Sequence, residues 1–310
     1  MTAPTALLFA GQGAQYPGMG KDLAAQFSPA MEWCERSRRV LGLDLPGLCF
    51  NGPQEQLART ENAQPAIFLV SWIAFQLLKE RMPGLAFQAA AGLSLGELTA
   101  LTAAGVFDFE VGLQIARQRG RFMQEACALS QGAMAAILGL DFERTGVLCA
   151  ETGAEIANLN CPGQIVISGL SEQVGRACEL ARAKGAKGAV LLPVAGAYHS
   201  RLMASAKPKV QAMFEGIAVR PAALEVISNV TARPHGTPEE IVLRLVQQVT
   251  SPVRWEESIR YLAGRGYSRF IELGPGKVLS GFVKRIVPAA QILHVSDVPS
   301  LENALEKLNS

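Results

Sequence analysis

The chain has 310 residues, of which 49% are hydrophobic and 18% are charged, and its formal net charge is +2. That length predicts one or two domains with a large core, and a charge so close to zero argues against nucleic acid or an anionic membrane as a partner. No basic residue precedes Lys21, and the most apolar stretch, residues 66–78, is too short to cross a bilayer. We therefore expect a cytoplasmic protein without a secretory signal.

The cysteines predict neither a disulfide framework nor a metal site. The six residues form no Cys-x-x-Cys pair, and none has a histidine at the spacing of zinc ligands. We expect reduced thiols and no bound metal.

The first predicted strand is the apolar run at residues 6–9, which leads into a tight, glycine-rich turn at residues 11–15. The turn lacks the third glycine of a dinucleotide-binding loop, and no Lys-Ser or Lys-Thr pair follows it as in a P-loop. Two interpretations stay open: a purely structural turn, or a backbone that donates hydrogen bonds to an oxyanion. Apolar residues that recur every three and four positions then predict a helix over residues 62–82.

The chain is organised around a Gly-x-Ser-x-Gly pattern at residues 92–96, which follows a predicted strand at residues 87–91 and precedes a helical run. In that setting the pattern predicts a nucleophile elbow, with Ser94 at the tip of a sharp turn. The two glycines remove side chains that would collide where the strand and the helix come close. Free N–H groups at the start of the helix can stabilise a developing negative charge.

A small inserted unit is predicted downstream of the elbow. Gly105 is expected to end the elbow helix, and Asp108 to cap the next helix, which reaches about residue 125. The following elements are a strand at 133–138, a helix at 142–152, strands at 155–159 and 164–168 around a turn, a helix at 171–184 capped by Ser171, and a strand at 188–194. This β-α-β-β-α-β order is ferredoxin-like, so we place a small subdomain at residues 127–197.

The remaining elements alternate between helix and strand. They are a helix to about residue 214, a strand at 224–230, a helix at 238–249, a strand at 269–273 and a last helix that ends at residue 286. This alternation outside the insert predicts an α/β protein with a mainly parallel sheet covered on both faces. Residues 1–126 and 198–310 are therefore assigned to one catalytic core.

A serine hydroxyl needs a base to take its proton, and the chain has three histidines. His235 lies in an Arg-Pro-His-Gly sequence typical of a surface turn, and His294 lies where a strand is expected to end. His199 lies where a strand gives way to a helix, a common place for functional groups, and is the best candidate. No acidic residue is near it in the sequence, so a backbone carbonyl or an amide side chain would orient its ring in a Ser–His dyad.

Six motifs that cover nearly the whole chain, in order, resemble those of the malonyl-CoA:acyl carrier protein transacylases of fatty-acid synthesis. They are FAGQGAQ at 9–15, GLSLGE at 92–97, QRGRFMQ at 118–124, NCPGQ at 160–164, AYHS at 197–200 and ELGPG at 272–276. The resemblance implies an α/β-hydrolase-like core with a ferredoxin-like insert. It also implies that Ser94 is the acylated nucleophile, His199 its base, and the N–H groups of Gln12 and Leu95 the oxyanion hole.

The resemblance further implies a set of substrate-binding residues. Arg119 matches the arginine that holds the malonyl carboxylate, whereas the sequence alone would treat Arg117, Arg119 and Arg121 alike, as solvated helix charges. Gln248 matches the residue whose main chain orients the histidine, and Asn160 matches a residue of the substrate site. Two positions depart from the family: Leu93 replaces the usual histidine, and Tyr198 stands where phenylalanine is common in malonyl-selective members.

The implied activity is transfer of a malonyl group from malonyl-CoA to the phosphopantetheine thiol of acyl carrier protein, without a metal or redox cofactor, by a protein that we expect to be monomeric. Three alternatives stay open. One is a free-standing acyltransferase that loads polyketide synthase carrier proteins, because Leu93 is also expected in that group. The others are a serine esterase or thioesterase, which would use the same elbow and dyad, and a carrier-protein-binding module without activity.

Overall fold

The computed structural model of the protein describes residues 4–309, and its strands form two separate sheets. The strands are β1 (Thr5–Phe9), β2 (Ala89–Gly92), β3 (Gly132–Leu138), β4 (Glu155–Cys161), β5 (Gln164–Leu170), β6 (Gly188–Leu191), β7 (Glu225–Ile227), β8 (Arg269–Leu273) and β9 (Gln291–Val295). The helices are α1 (Lys21–Gln26), α2 (Ser28–Leu41), α3 (Leu45–Asn51), α4 (Gln54–Ala58), α5 (Thr60–Arg81), α6 (Leu95–Ala103), α7 (Phe109–Cys127), α8 (Phe142–Thr152), α9 (Ser171–Ala183), α10 (Lys207–Met213), α11 (Pro238–Gln248), α12 (Trp255–Gly264), α13 (Val278–Ile286) and α14 (Val298–Asn309). A 3-10 helix covers Arg201–Ala206.

Five strands form a parallel sheet in the order β7-β2-β1-β8-β9. Every neighbouring pair is parallel, and β1, in the middle, is buried along its whole length. Side chains alternate along β1: Leu7 and Phe9 enter the larger hydrophobic cluster on one face, while Ala6 and Leu8 enter a smaller cluster on the other. Because both faces are covered, this strand is a continuous apolar run, and the predicted α/β fold with a mainly parallel sheet is confirmed.

Helices α5 and α7 pack against each other beside this sheet. Most of α5 is buried, and its aliphatic and aromatic side chains form much of the larger hydrophobic cluster. The contact between the two helices brings Gln64 of α5 to within 2.7 Å of the guanidinium of Arg119 on α7. One consequence of this packing is therefore that a charged side chain of α7 lies among buried polar groups.

The second sheet is antiparallel and has the strand order β4-β5-β3-β6. With α8 and α9 packed on it, the unit has the predicted β-α-β-β-α-β order and the ferredoxin-like arrangement of strands. The predicted helix at 142–152 and the predicted strand at 269–273 have the same ends in the structure. The domain boundaries at 126/127 and 197/198 stay predictions.

Several predicted details are wrong. Ser171 does not cap α9, because its hydroxyl donates to the Gln131 carbonyl oxygen at 2.9 Å and the helix begins at Ser171 itself. Asp108 does precede α7, but its carboxylate pairs with Arg220 and accepts nothing from the helix. The strand predicted at 224–230 ends at Ile227, because the next residues form a tight turn.

The chain also continues beyond the predicted last helix. Strand β9, with His294 inside it, and helix α14 follow α13 and complete one edge of the parallel sheet. Within residues 4–309, no helix combines the length and the apolar character that spanning a membrane requires.

Candidate active site

The turn between β2 and α6 holds Ser94 in a backbone conformation that few residues other than glycine adopt. Its φ is 53° and its ψ is −101°, and holding such a geometry requires about 1–3 kcal/mol from the surrounding structure. A Cβ atom on Gly92 would overlap the carbonyl group of Gly96, and a Cβ atom on Gly96 would overlap the carbonyl group of Phe9. The two glycines therefore let strand and helix approach closely enough to form the elbow.

Two amide side chains hold the strained backbone of Ser94. The Asn229 oxygen accepts from the Ser94 N–H at 2.7 Å, and its nitrogen donates to the Gly92 carbonyl oxygen at 2.8 Å. The Gln248 side-chain nitrogen donates to the Ser94 carbonyl oxygen at 3.1 Å. Because these bonds are buried or partly buried, they can offset the strain of the turn.

His199 lies against the serine although the two residues are far apart in the chain. Its Nε2 is 2.8 Å from the Ser94 Oγ, and its Nδ1 is 2.9 Å from the backbone oxygen of Gln248. A carbonyl oxygen only accepts, so the proton of the neutral ring is on Nδ1 and the bare Nε2 accepts from the serine hydroxyl. The orienting group is thus a backbone carbonyl, one of the two kinds of group expected from the sequence.

Burial and the charge of the nearby Arg119 lower the pKa of His199 to about 4, against the opposing effect of its backbone hydrogen bonds. The imidazole is therefore neutral near pH 7, which is the form that can take a proton from a serine hydroxyl.

Arg119 is the third group of the cluster and is only 4% exposed. It donates from Nη1 to the Gln64 side-chain oxygen at 2.7 Å, and from Nη2 to the Gln248 side-chain oxygen at 2.7 Å and to the Ser94 Oγ at 3.2 Å. Burial lowers the pKa of Arg119 to about 10, while Glu97 and Tyr198 raise it. No carboxylate in the described part of the chain pairs directly with this guanidinium, so its charge is available to an anionic ligand.

The interpretation of all three α7 arginines as solvated charges is wrong for Arg119. Arg121 is half exposed beside a glutamate, and Arg117 lies near the surface against the start of α5. Arg119 follows Ala116 by three positions and precedes Met123 by four, so it shares the buried face of the helix with them. This helical phase was a signal in the sequence that could have singled it out.

The two residues expected to form an oxyanion hole are the neighbour of the serine in the chain and a residue that lines the same cleft. Gln12 lies in the loop after β1 and lines the same cleft of about 520 Å³ as Ser94 and His199. Its side chain donates to the Thr60 hydroxyl at 3.3 Å. Leu95 is the first residue of α6, and the N–H groups of a first helical turn have no partner within the helix.

Three further predicted residues lie at this cleft. The Tyr198 hydroxyl is hydrogen-bonded to the Thr60 hydroxyl, and burial raises the pKa of Tyr198 well above its ordinary value. Asn160, on β4, is 6% exposed, and its side-chain oxygen has no partner among residues 4–309. Leu93 lines the cleft and packs on the smaller hydrophobic cluster.

His235 corrects the sequence interpretation, which assigned it to a surface turn. Its side chain is 1% exposed, and its Nε2 lies 2.7 Å from a carboxylate oxygen of Glu97, which is fully buried. Glu97 also accepts from Asn229 and Gln248. The sequence predicts no role for Glu97, because an acidic residue in a first helical turn is typical of any helix N-terminus. Asn229 lies outside the six motifs.

Comparisons with known proteins agree with this arrangement. A family model described as an acyl transferase domain matches residues 6–306. The malonyl CoA-acyl carrier protein transacylase of Bacillus subtilis is 42% identical over 308 residues, which are 98% of this chain and 96% of the relative.

Two solved structures are similar over nearly their full length. An acyl-carrier-protein-S-malonyltransferase from Bartonella henselae has a TM-score of 0.94 at 39% identity and covers 99% of this chain and 100% of its own. A malonyl-transacylase solved in complex with the type II PKS acyl-carrier protein AntF has a TM-score of 0.95 at 38% identity, with 98% and 100% covered. The chain is therefore an acyltransferase that belongs to the malonyl CoA-acyl carrier protein transacylase family.

Proposed function

We propose that the protein transfers a malonyl group from malonyl-CoA to the phosphopantetheine thiol of an acyl carrier protein through an ester on Ser94. The observation that carries the proposal is the buried guanidinium of Arg119, which pairs with no carboxylate among residues 4–309 and lies beside a serine and a histidine in hydrogen-bond contact. The relatives named above support it, since one is a malonyl-transacylase in complex with a carrier protein.

In the first half-reaction, His199 Nε2 takes the hydroxyl proton of Ser94 while the Oγ attacks the thioester carbon of malonyl-CoA. The negative charge on the former carbonyl oxygen is stabilised by the N–H groups of Gln12 and Leu95. The intermediate then collapses: the carbon–sulfur bond breaks, the imidazolium returns its proton to the leaving sulfur, and CoA departs as the thiol. The enzyme is left with a malonyl ester on Ser94.

Arg119 selects the acyl group in this mechanism. A guanidinium can hold a carboxylate through two parallel charge-assisted hydrogen bonds, and a buried site strengthens both. The free carboxylate of malonate would satisfy the buried charge, whereas an acetyl group would leave it unpaired. We therefore expect malonyl-CoA to be strongly preferred over acetyl-CoA.

The second half-reaction reverses the first with a different thiol. His199 takes the proton of the phosphopantetheine thiol, the sulfur attacks the ester, and the Ser94 oxygen leaves and regains a proton from the imidazolium. This ping-pong sequence uses only side chains and backbone amides of the protein, so it needs no metal or redox cofactor. We expect the protein to act as a monomer in the cytoplasm on a single docked carrier protein.

The carrier protein of a polyketide synthase is a second candidate partner. One observation favours it: the similar transacylase was solved with a type II PKS carrier protein. Leu93, which stands where the family resemblance implies a histidine, is also expected in acyltransferases that serve polyketide synthases. Transfer rates to the two kinds of carrier protein, measured side by side, would decide between them.

Intact mass spectrometry after incubation with malonyl-CoA tests the proposal. The wild-type protein should gain one malonyl group, and Ser94→Ala should gain none. A malonyl adduct on Ser94→Ala would refute the nucleophile, and release of free malonate without transfer to holo carrier protein would instead indicate a thioesterase.

A further inference from the structure

A buried carboxylate lies beneath the strained turn that carries Ser94. Glu97 is in the first turn of α6, its side chain is fully buried, and no lysine or arginine within residues 4–309 pairs with it directly. Its oxygens accept from the Asn229 N–H at 2.8 Å and from the Gln248 side-chain nitrogen at 2.7 Å, and one lies 2.7 Å from Nε2 of His235. An ionised carboxylate only accepts hydrogen bonds, so each of these groups must point a donor at it.

The carboxylate determines which way the Gln248 carboxamide points. The nitrogen of that amide faces Glu97 and the Ser94 carbonyl oxygen, while its oxygen accepts from Nη2 of Arg119 at 2.7 Å. In the reversed orientation the amide oxygen would face the carboxylate, and the amide nitrogen would face the guanidinium, two donors together. Glu97 and Arg119 therefore require the same orientation, and a chain of hydrogen bonds runs from Arg119 through Gln248 to Glu97.

The imidazole ring of His235 joins this chain of hydrogen bonds through one of its two nitrogens. Its Nδ1 is buried and has no hydrogen-bond partner among the described residues, so Nε2 makes the only hydrogen bond of the ring. Burying a ring nitrogen without a partner is unfavourable. Among the described residues, the buried ring of His235 therefore makes its single hydrogen bond to Glu97.

We propose that Glu97 is a positioning residue for substrate selection: through the Gln248 carboxamide it fixes the guanidinium of Arg119, and His235 holds Glu97 in place. The proposal rests on the malonyl transfer proposed above. In agreement with it, the charge of Glu97 raises the pKa of Arg119 against the lowering by burial, which favours the charged guanidinium that a carboxylate needs.

The test replaces the carboxylate with an amide of the same shape. In Glu97→Gln the Gln248 amide no longer has an acceptor-only neighbour, so its orientation, and with it the oxygen that holds Arg119, is fixed from one side instead of two. We expect the ratio of single-turnover acylation rates for malonyl-CoA and acetyl-CoA to fall roughly tenfold or more, the loss expected for one hydrogen bond to a charged group. Equal losses for both substrates would show that Glu97 only supports the elbow, and would overturn the proposal.

A matched control is Glu225→Gln on β7. That carboxylate accepts from the hydroxyl groups of Tyr261 and Tyr267, and an amide oxygen can accept in its place. The variant should leave the malonyl-to-acetyl ratio unchanged, so it measures any general effect of the same chemical change.

A spectroscopic readout separates this inference from the proposed function. The side-chain NH₂ resonance of Gln248, assigned by its loss in Gln248→Leu, should be protected from solvent exchange in the wild type and shifted in Glu97→Gln. An unshifted resonance would refute the proposal even if activity fell. If the wild-type protein formed no malonyl ester, the proposed function would be refuted. The Gln248 resonance would still show whether Glu97 orients the amide, so the two failures can be told apart.

A second pair of variants covers the case in which Glu97→Gln does not fold. His235→Gln can place an amide nitrogen near the position of Nε2 and should keep the wild-type ratio. His235→Leu removes the donor and should lower the malonyl-to-acetyl ratio in the same direction as Glu97→Gln. Identical ratios in the two His235 variants would contradict the role given to this residue.

Discussion

Arg119→Met removes the guanidinium but keeps a long, unbranched side chain in the buried site between α5 and α7. A malonyl carboxylate would lose two charge-assisted hydrogen bonds, each of which contributes about 1.5–3 kcal/mol. A total of about 3–6 kcal/mol corresponds to a loss of roughly 10²–10⁴-fold in kcat/KM for malonyl-CoA. An acetyl group makes no such bonds, so its acylation should change far less.

The same substitution has two opposing effects on stability. Burial lowers the pKa of Arg119 to about 10, which corresponds to about 3 kcal/mol by which folding disfavours the charged form. Arginine is charged in both folded and unfolded chains at neutral pH, so this penalty is fully present there and would be relieved only above about pH 10. Removing the donors leaves the oxygens of Gln64 and Gln248 unpaired, at about 1–3 kcal/mol each. The two effects oppose each other, so the net loss of unfolding free energy should not exceed about 3 kcal/mol.

Single-turnover acylation with malonyl-CoA and acetyl-CoA, together with urea unfolding, measures both effects. Arg121→Met is the matched control, because Arg121 is half exposed on the same helix, where it lies 3.5 Å from Glu125 and over the ring of Phe122. It should change neither acylation rate. Equal losses for both substrates in Arg119→Met would refute the carboxylate clamp. A drop in unfolding free energy well beyond about 3 kcal/mol would show that relief of the buried charge does not offset the hydrogen bonds lost by Gln64 and Gln248.

Three further predictions follow from the geometry of the cleft. The pKa of His199 is lowered to about 4, so the acylation rate at saturating acetyl-CoA should fall only as the pH approaches 4. With malonyl-CoA, whose carboxylate compensates the charge of the neighbouring guanidinium, the rate should begin to fall at a higher pH. A fall in rate centred near pH 6.5 with both substrates would contradict the lowered pKa. Gly96→Ala should lower the acylation rate at least about a hundredfold by displacing the elbow, while Gly146→Ala, in open space on α8, should keep activity and raise the unfolding free energy by about 0.5–1 kcal/mol. Tyr198→Phe should retain malonyl transfer and lose about 1 kcal/mol of unfolding free energy with its hydrogen bond to Thr60; loss of acylation in a folded protein would show a catalytic part for the hydroxyl.

Elements with strong local signals could be predicted from the sequence nearly to the residue. Helix α8 begins after Asp141, whose side chain accepts from the Arg144 N–H at 2.8 Å. Strand β8, which is buried from Phe270 onward, stops at the glycine-rich turn after Leu273. These limits depend on neighbours within a few residues. Strand β6 is shorter than predicted, because Pro193 has no N–H to continue the ladder and strand pairing ends at Leu191.

The site could be predicted only in part, because burial depends on residues far away in the chain. The elbow pattern pointed to Ser94, and the short list of histidines pointed to His199. The sequence around His235 gives no sign of burial, since the ring is enclosed through a contact with Glu97, 138 positions away. A local pattern therefore predicts which residues can react, but not which polar groups are buried behind them.

Gln248 explains how this site can work with a carbonyl where many serine enzymes have a carboxylate. Its backbone oxygen, which orients His199, belongs to the last residue of α11, and the last four carbonyls of a helix have no partner within it. Burial disfavours the imidazolium and Arg119 repels it, while a neutral carbonyl stabilises it less than a carboxylate would. The ring of the free enzyme therefore stays neutral. A malonyl carboxylate bound to Arg119 would compensate that repulsion and raise the basicity of His199. In the proposed mechanism, recognition and base strength would thus be coupled through one guanidinium, and an acetyl group, which has no carboxylate, would benefit from neither.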